Sequence, residues 1–373
     1  MLNSLKIEGF KLFRDLELPN LSRLNLILGS NNSGKSCLLE AIRLYATDGS
    51  LRVIRELVTS RDGDWEAKIS KPEELSENIL ADVENPIRYL FHDFHCQGNA
   101  AITIGPLDKT RSVSLSLGLY RRSESEDGTP RYDRIQSRAD QPAEDVNEML
   151  EVSGGRKSRS LIRLDRIWSR NSFELRRILE ELPETPIAIV GTNGIQPAEV
   201  AFLFDKVSLT PQQEQVLDCL RLIEPRIEGI ALIGNPNRRE SGGRTPVIRV
   251  KGSKERYPLR TMGDGLTRLF HIALSMVNAQ GGVILIDEFE NGLYWEVQER
   301  LWPMIFEMAE AFDVQVFATS HSSDCLRSFT SAWRNSPDAG SMYRLERMES
   351  STRISRLPMI NISDALASQV EVR

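Results

Sequence analysis

Eight residues near the start of the chain, GSNNSGKS at Gly29–Ser36, fit the spacing G-x-x-x-x-G-K-[ST]. They follow an apolar run, RLNLIL, and lead into CLLEAIRLYA, whose apolar residues recur at helical intervals. In a strand–loop–helix of this kind, Gly29, Asn31, Asn32, Ser33 and Gly34 let the backbone curl until successive N–H groups point at one anion. The helix that follows adds its positive end. Lys35 is expected to reach the β- and γ-phosphates of a nucleotide, and the Ser36 hydroxyl to ligate Mg²⁺. The alternative is a glycine-rich turn before a helix, and the full spacing in this context argues against it.

Three further stretches place chemistry at strand ends or helix starts. In GGVILIDE, four apolar β-formers, Val283–Ile286, end in Asp287 and Glu288. A buried parallel strand ending in acids sets carboxylates at the edge of the sheet where such folds bind ligands. Asp287 there can hold Mg²⁺ through water, and Glu288 can orient and polarise a water for attack on a γ-phosphate. In VQVFATSHS, an apolar strand delivers Thr319, Ser320 and His321 to the same edge. His321 can donate a hydrogen bond to a γ-phosphate there, although a lone histidine at a strand end is also a common structural hydrogen bonder. In RTMGDGLTRLFHIALSM, Gly263, Asp264 and Gly265 precede an amphipathic helix, which makes a second cluster of backbone N–H groups available to an anion.

The elements that must position these residues are those of an α/β protein. Residues 2–28 alternate with period two, predicting strands joined by short turns, and a helix is expected from about Ser36 to Tyr45. Buried-strand patterns return from Ile187 onward, in IAIVG, IALIG, VIRV, GGVILIDE and VQVFATSH. The intervening segment, 48–185, is of mixed charge, with strand signals in AITIG and VSLSLGLY and an expected loop near 121–158. The organisation predicted is therefore a head in two parts, 1–47 and 186–373, around an inserted α+β region at 48–185. A chain of 373 residues with 40% hydrophobic and 27% charged residues can build such a core in water. Four scattered cysteines, no apolar leader in MLNSLKIEGFKLF and no run near the ~18 apolar residues of a bilayer span point to a cytoplasmic protein. A net charge of -6 confines any nucleic-acid contact to a local patch.

One candidate patch is SRSLIRLDRIWSRNSFELRR, where Arg159, Arg163, Arg166, Arg170 and Arg177 recur at helical spacing against Leu161, Leu164, Trp168, Leu175 and Ile178. A solvated arginine stripe on a packed helix and a phosphate-tracking nucleic-acid face both fit it. HDFHC gathers His92, His95 and Cys96, but no second ligand pair accompanies them, as a zinc site would need.

Taken in order, the phosphate loop, the glycine signature before a helix, ILIDEFENGL and FATSHS resemble the ABC-type P-loop NTPase heads of the RecF, SMC and OLD group. The opening IEGFKLFRDLELPNLSRLNLILGSNNSGKSCLLEAI is most like the AAA family ATPases of the OLD-like branch. The likeness covers about residues 1–46 and 187–330. It implies ATP and Mg²⁺ as cofactors, Glu288 as catalytic base and Asp287 with Ser36 at the metal. It also implies Gly263–Gly265 as a signature offered across a dimer, Glu290–Leu293 as the D-loop and His321 as the switch. Met262 stands where the signature usually has serine, Tyr294 where this branch often has histidine, and Gln196 is the candidate Q-loop residue. About forty residues follow the helix after His321, too few for the Toprim domain of OLD nucleases, so nuclease chemistry is expected from another chain. The function implied is an ATP-driven switch in anti-phage defence controlling a separate effector. The alternatives are a RecF-like repair ATPase acting directly on DNA and a scaffold that binds ATP with negligible turnover.

Overall fold

The chain begins with a hairpin, β1 (Leu5–Phe10) and β2 (Phe13–Leu18), whose alternate residues Leu5, Ile7, Phe13, Leu16 and Leu18 are buried. The computed structural model describes residues 1–59, 86–96, 100–124, 130–135, 146–154, 157–167, 185–234, 244–348 and 351–359. Strand β3 (Leu24–Leu28) is buried at every position, as expected of a parallel strand covered on both faces. The phosphate loop turns it into α1 (Lys35–Ala46), one residue longer at each end than the periodicity predicts, and α2 (Leu51–Thr59) follows.

Strands β4 (Ala101–Gly105), β5 (Val113–Glu124), β6 (Pro130–Ile135), β7 (Val146–Gly154) and β8 (Lys157–Arg163) come next, then a single helical turn, α3 (Leu164–Ile167). The 48–185 segment does not stand apart from the first strands. β4 pairs antiparallel with β1, bringing Ile104 opposite Ile7, and the sheet runs β2-β1-β4-β5-β7-β8 with β6 on β5. The loop expected near 121–158 is corrected by the pairing of β5 with β7: its described residues are mostly strand, with Leu117, Leu150 and Val152 facing the core and Met149 buried on the other face.

The arginine stripe is corrected as well. Arg159 and Arg163 lie on β8, where Arg159 Nε bonds Glu151 Oε1 at 2.6 Å and Arg163 stands opposite Met149. Arg166 falls in α3, while Arg170 and Arg177, with Trp168, Leu175 and Ile178, lie outside the described residues.

The second half builds the main sheet. β9 (Ile187–Val190) leads to α4 (Pro197–Val207), α5 (Pro211–Arg221) and a three-stranded antiparallel sheet of β10 (Ile227–Gly234), β11 (Arg244–Val250) and β12 (Arg256–Pro258). IALIG and VIRV thus belong to this smaller sheet. Next come α6 (Asp264–Asn278), β13 (Val283–Ile286), α7 (Trp295–Ala311), β14 (Gln315–Ser320), α8 (Ser323–Asn335), β15 (Gly340–Arg347) and β16 (Thr352–Arg356). The six-stranded order is β16-β15-β3-β14-β13-β9, parallel except for the edge strand β16.

Helix α1 packs between the two large sheets, its Leu38, Ala41, Ile42 and Leu44 sharing a core with Ile7, Ile104, Leu115, Leu285 and Phe317. The opposite face of the main sheet is covered by α4–α8, with Leu269, Phe270, Trp302 and Phe329 at its centre. Buried Asn25 lashes β3 to both neighbours, its amide donating to the Val316 carbonyl (3.1 Å) and its Oδ1 accepting from Ser341 Oγ (2.7 Å). Every strand that carries a motif therefore ends at one edge of one sheet. Among the described residues no helix is long and apolar enough to cross a membrane.

Candidate nucleotide-binding and catalytic site

The loop after β3 closes on Gly34, which caps α1 at φ 104°. A Cβ at this position would both strain the backbone and press on the Phe13 ring at 3.2 Å. Lys35 is 7% exposed and folds back over the loop, its Nζ donating to the carbonyls of Gly29 (2.7 Å) and Ser30 (2.9 Å). Burial lowers its pKa, opposed by the negative charges of Asp287, Glu290 and Glu288. An ammonium held on two neutral carbonyls beside three carboxylates is well placed to exchange those partners for phosphate oxygens.

The loop and the acidic strand meet directly. Ser36 Oγ donates to Asp287 Oδ2 at 3.0 Å. The other oxygen, Oδ1, accepts from Thr319 Oγ1 at 2.7 Å, and the same threonine oxygen accepts the Glu288 N–H at 2.9 Å. One hydroxyl at the end of β14 thus fixes the first acid's side chain and the second acid's backbone. Glu288 sits at φ 50°, a left-handed turn that carries its side chain off the strand line.

Asn31, Asn32, Gly34, Lys35, Ser36, Asp287 and Glu288 line a cleft of about 390 Å³, closed on one side by Leu12 and Arg347. Gly29 and Ser33 support the loop from behind. Ser33 is 1% exposed, and a Cβ on Gly29 would meet Ser33 Oγ at 2.5 Å and the Leu345 carbonyl at 2.6 Å.

Two of the motifs read from the sequence lie outside this cleft. Gly263, Asp264 and Gly265 begin α6, with Gly263 and Asp264 exposed. Gly265 packs on the Glu290–Leu293 turn so closely that a Cβ would stand 2.7 Å from the Gly292 carbonyl. His321 starts the turn after β14, its side chain 47% exposed, with Nδ1 3.2 Å from Glu290 Oε1. Gln196 is exposed at the start of α4, and it is Thr192 whose hydroxyl stands 3.5 Å from Asp287 Oδ2. Met262 is half-buried and Tyr294 exposed. His92 accepts a structural part, its Nδ1 lying 2.8 Å from the Lys11 carbonyl.

The residue that sequence reasoning missed most completely is Arg268. It is 5% exposed within α6 and donates to the carbonyls of Gly191, Asp287 (2.6 Å) and Glu288 (2.9 Å), tying the signature helix to the ends of β9 and β13. Its signal was an arginine inside the apolar run LTRLFHIAL, where a charge must find partners. Arg347, at the end of β15, has no comparable local signal.

Comparison with known proteins bears on the fold and the family. Over 342 residues the chain is 22% identical to an "ATP/GTP phosphatase" of Helicobacter pylori, covering 87% of this chain and 86% of that protein. Over 52 residues, 14% of each chain, it is 42% identical to "DNA replication and repair protein RecF" of Thioalkalivibrio sulfidiphilus. The fold is that of an SMC head: the structure of an SMC head bound to the C-winged helix domain of ScpA superposes with a TM-score of 0.50 at 16% identity, covering 97% of this chain and 99% of that one. Residues 24–326 match the family described as "AAA domain, putative AbiEii toxin, Type IV TA system". That span runs from the strand before the phosphate loop to the helix after His321, so the chain belongs to this family of AAA-domain ATPases.

Proposed function

We propose that the protein hydrolyses ATP as a switch, with Lys35 and the loop amides of Asn31–Ser36 holding the phosphates and Glu288 acting as general base. The observation that carries this reading is the direct meeting of Ser36 with Asp287, buttressed by Thr319, beside buried Lys35. The Ser36 hydroxyl and the Asp287 carboxylate are hard oxygen donors that fit Mg²⁺, which takes few protein ligands and completes its shell with phosphate oxygens and water. The ion when bound would supply charge neutralisation at the phosphates. Glu288 would orient the attacking water in line with the γ-phosphate and accept its proton, its carboxylate held by the Thr319 and Arg268 bonds to its backbone.

The start of α6 is exposed and does not line this chain's own cleft. This supports a second copy as the receiver, with each ATP enclosed between one chain's loop and the other's Gly263–Gly265. The family's description as a putative toxin of a toxin–antitoxin system supports a part in genome conflict, to which this reading adds an output through a separate effector. Direct action on DNA draws less support, since Arg159 is committed to Glu151 and Tyr120.

The test separates binding from hydrolysis. Lys35→Ala should abolish ATP binding, whereas Glu288→Gln should bind ATP, associate more strongly in its presence, and turn over about 10²–10⁴-fold more slowly. Equal loss of binding in both variants by nucleotide titration, or sedimentation unaffected by ATP, would overturn the reading. Metal-supplemented nuclease assays on the purified chain should show no cleavage until an effector protein is added.

A further inference from the structure

The Glu290–Leu293 turn follows the general base and packs on the signature glycines, and its first residue has an unusual environment. Glu290 is only 11% exposed at its side chain, among Lys35, Arg268 and Cys325. Its two oxygens are used unequally. Oε1 accepts the backbone N–H of His321 at 2.9 Å and lies 3.2 Å from the same residue's ring Nδ1. Oε2 is buried with no hydrogen-bond partner among the described residues. A buried carboxylate oxygen without a partner costs about 1–3 kcal/mol or more, so packing alone does not favour an acid here.

We propose that Glu290 is the positioning residue of His321, holding Nδ1 so that Nε2 is the ring nitrogen left free for the terminal phosphate. This rests on the reading of His321 as the nucleotide switch. Histidine's two nitrogens are distinct, and the partner of one sets the tautomer and aim of the other. Here a single carboxylate oxygen accepts the main-chain N–H of His321 and stands 3.2 Å from its ring Nδ1, setting where the residue sits and which edge of the imidazole faces the carboxylate. The other end of the link is equally firm. The Glu290 carbonyl accepts from Leu293 N–H (2.9 Å), the Glu288 carbonyl from Asn291 N–H (3.0 Å), and the Thr319 carbonyl from Phe289 N–H (2.9 Å). The turn carrying the base and the turn carrying the histidine are therefore one hydrogen-bonded body. A displacement of His321 on loss of the γ-phosphate would be passed through Glu290 to Gly292 and so to Gly265.

Two measurements on the full chain test this. Nitrogen NMR of the imidazoles in the ATP-bound chain, with His321 assigned among the chain's four histidines by its loss in His321→Ala, should show a proton on each ring nitrogen, Nδ1 towards Glu290 and Nε2 towards the phosphate. A ring lacking the proton on Nδ1 would overturn the proposal without any change at Glu290. In single-turnover hydrolysis, Glu290→Ala should slow the chemical step by on the order of 10², as for loss of one phosphate-side donor, with ATP affinity nearly unchanged. Glu290→Gln, which keeps an acceptor at Oε1, should recover most of that rate. The pair Glu290→Ala with His321→Ala should be no slower than His321→Ala alone. Multiplying losses in the pair, or a Gln variant as slow as the Ala variant, would overturn it. A His321→Ala protein with unimpaired turnover would instead sink the switch reading itself, while the ring spectrum still decides the geometry.

Discussion

Replacing Arg268 by methionine keeps the apolar stem and removes the charged fork, taking one donor from each of three carbonyls at the ends of β9 and β13, of which Gly191 and Glu288 keep the N–H groups of Gly194 and Asn291. Each hydrogen bond to a charged group contributes about 1.5–3 kcal/mol, so the gross loss is about 4.5–9 kcal/mol. Burying the guanidinium lowers its pKa from 12.5 to about 10. That depression corresponds to about 3 kcal/mol of cost, which the substitution returns. The difference centres on 3–4 kcal/mol, with roughly 3–5 kcal/mol expected for breaking a buried charged contact. Arg268 stays protonated up to about pH 10, so the loss should be constant across neutral pH. At about 2–4 °C per kcal/mol, the melting midpoint should fall by roughly 6–16 °C. Lysine should rescue little, because one ammonium cannot span three carbonyls in a fixed fork. Urea unfolding at several pH values, with hydrolysis assayed below the transition, measures both. A loss under about 1 kcal/mol, or a lysine variant as stable as the parent, would refute the view that these bonds hold the two acids in place.

Burial first, then the charges of Arg268 and Arg260, lowers the pKa of His271 from 6.5 to about 4. Its neutral ring accepts the Ile195 N–H at 3.2 Å. The unfolded chain takes up a proton near pH 6.5 and the folded one does not until about 4, so this contribution is complete above pH 6.5. It is lost as pH falls towards 4, by about 3 kcal/mol; His271→Gln should flatten that part of the stability–pH curve. Gly265→Ala would place a Cβ 2.7 Å from the Gly292 carbonyl and push the signature and the neighbouring turn apart. ATP affinity of the single chain should change little, while turnover falls about 10²-fold, measured by titration and steady-state hydrolysis.

The phosphate loop and the acidic strand were legible because their chemistry is local: eight consecutive residues and one strand end carry it. What joins them was not. Thr319 and Arg268 contribute through contacts made 31 and 19–20 residues away in sequence, and no spacing rule marks such partners. The β1–β4 pairing links residues near 7 with those near 104 across a stretch that reads as mixed charge. The arginine stripe failed for a simpler reason. Residues four apart share a face both on a helix and on a strand, so Arg159 and Arg163 satisfy either pattern, and pairing with β7 decided between them. The 121–158 segment reads as loop because its strands carry arginines and glutamates, so the core-facing alternation in β7 is only the pair Leu150 and Val152.

Strand β3, which feeds the phosphate loop, lies between β14 and β15, so its neighbours in the sheet are made long after it. It leaves the ribosome roughly 290 residues before Gln315. At about 5–20 residues per second that interval is some 15–60 s. Throughout it the apolar run LNLIL has both edges open, a hazard for pairing with other nascent chains. The delay also has a benefit. Asp287, Thr319 and the flanking strands are made long after β3, so chains that stop before them cannot assemble a site able to consume nucleotide. Chain topology itself thus postpones assembly of the site until β14 and β15 have been made.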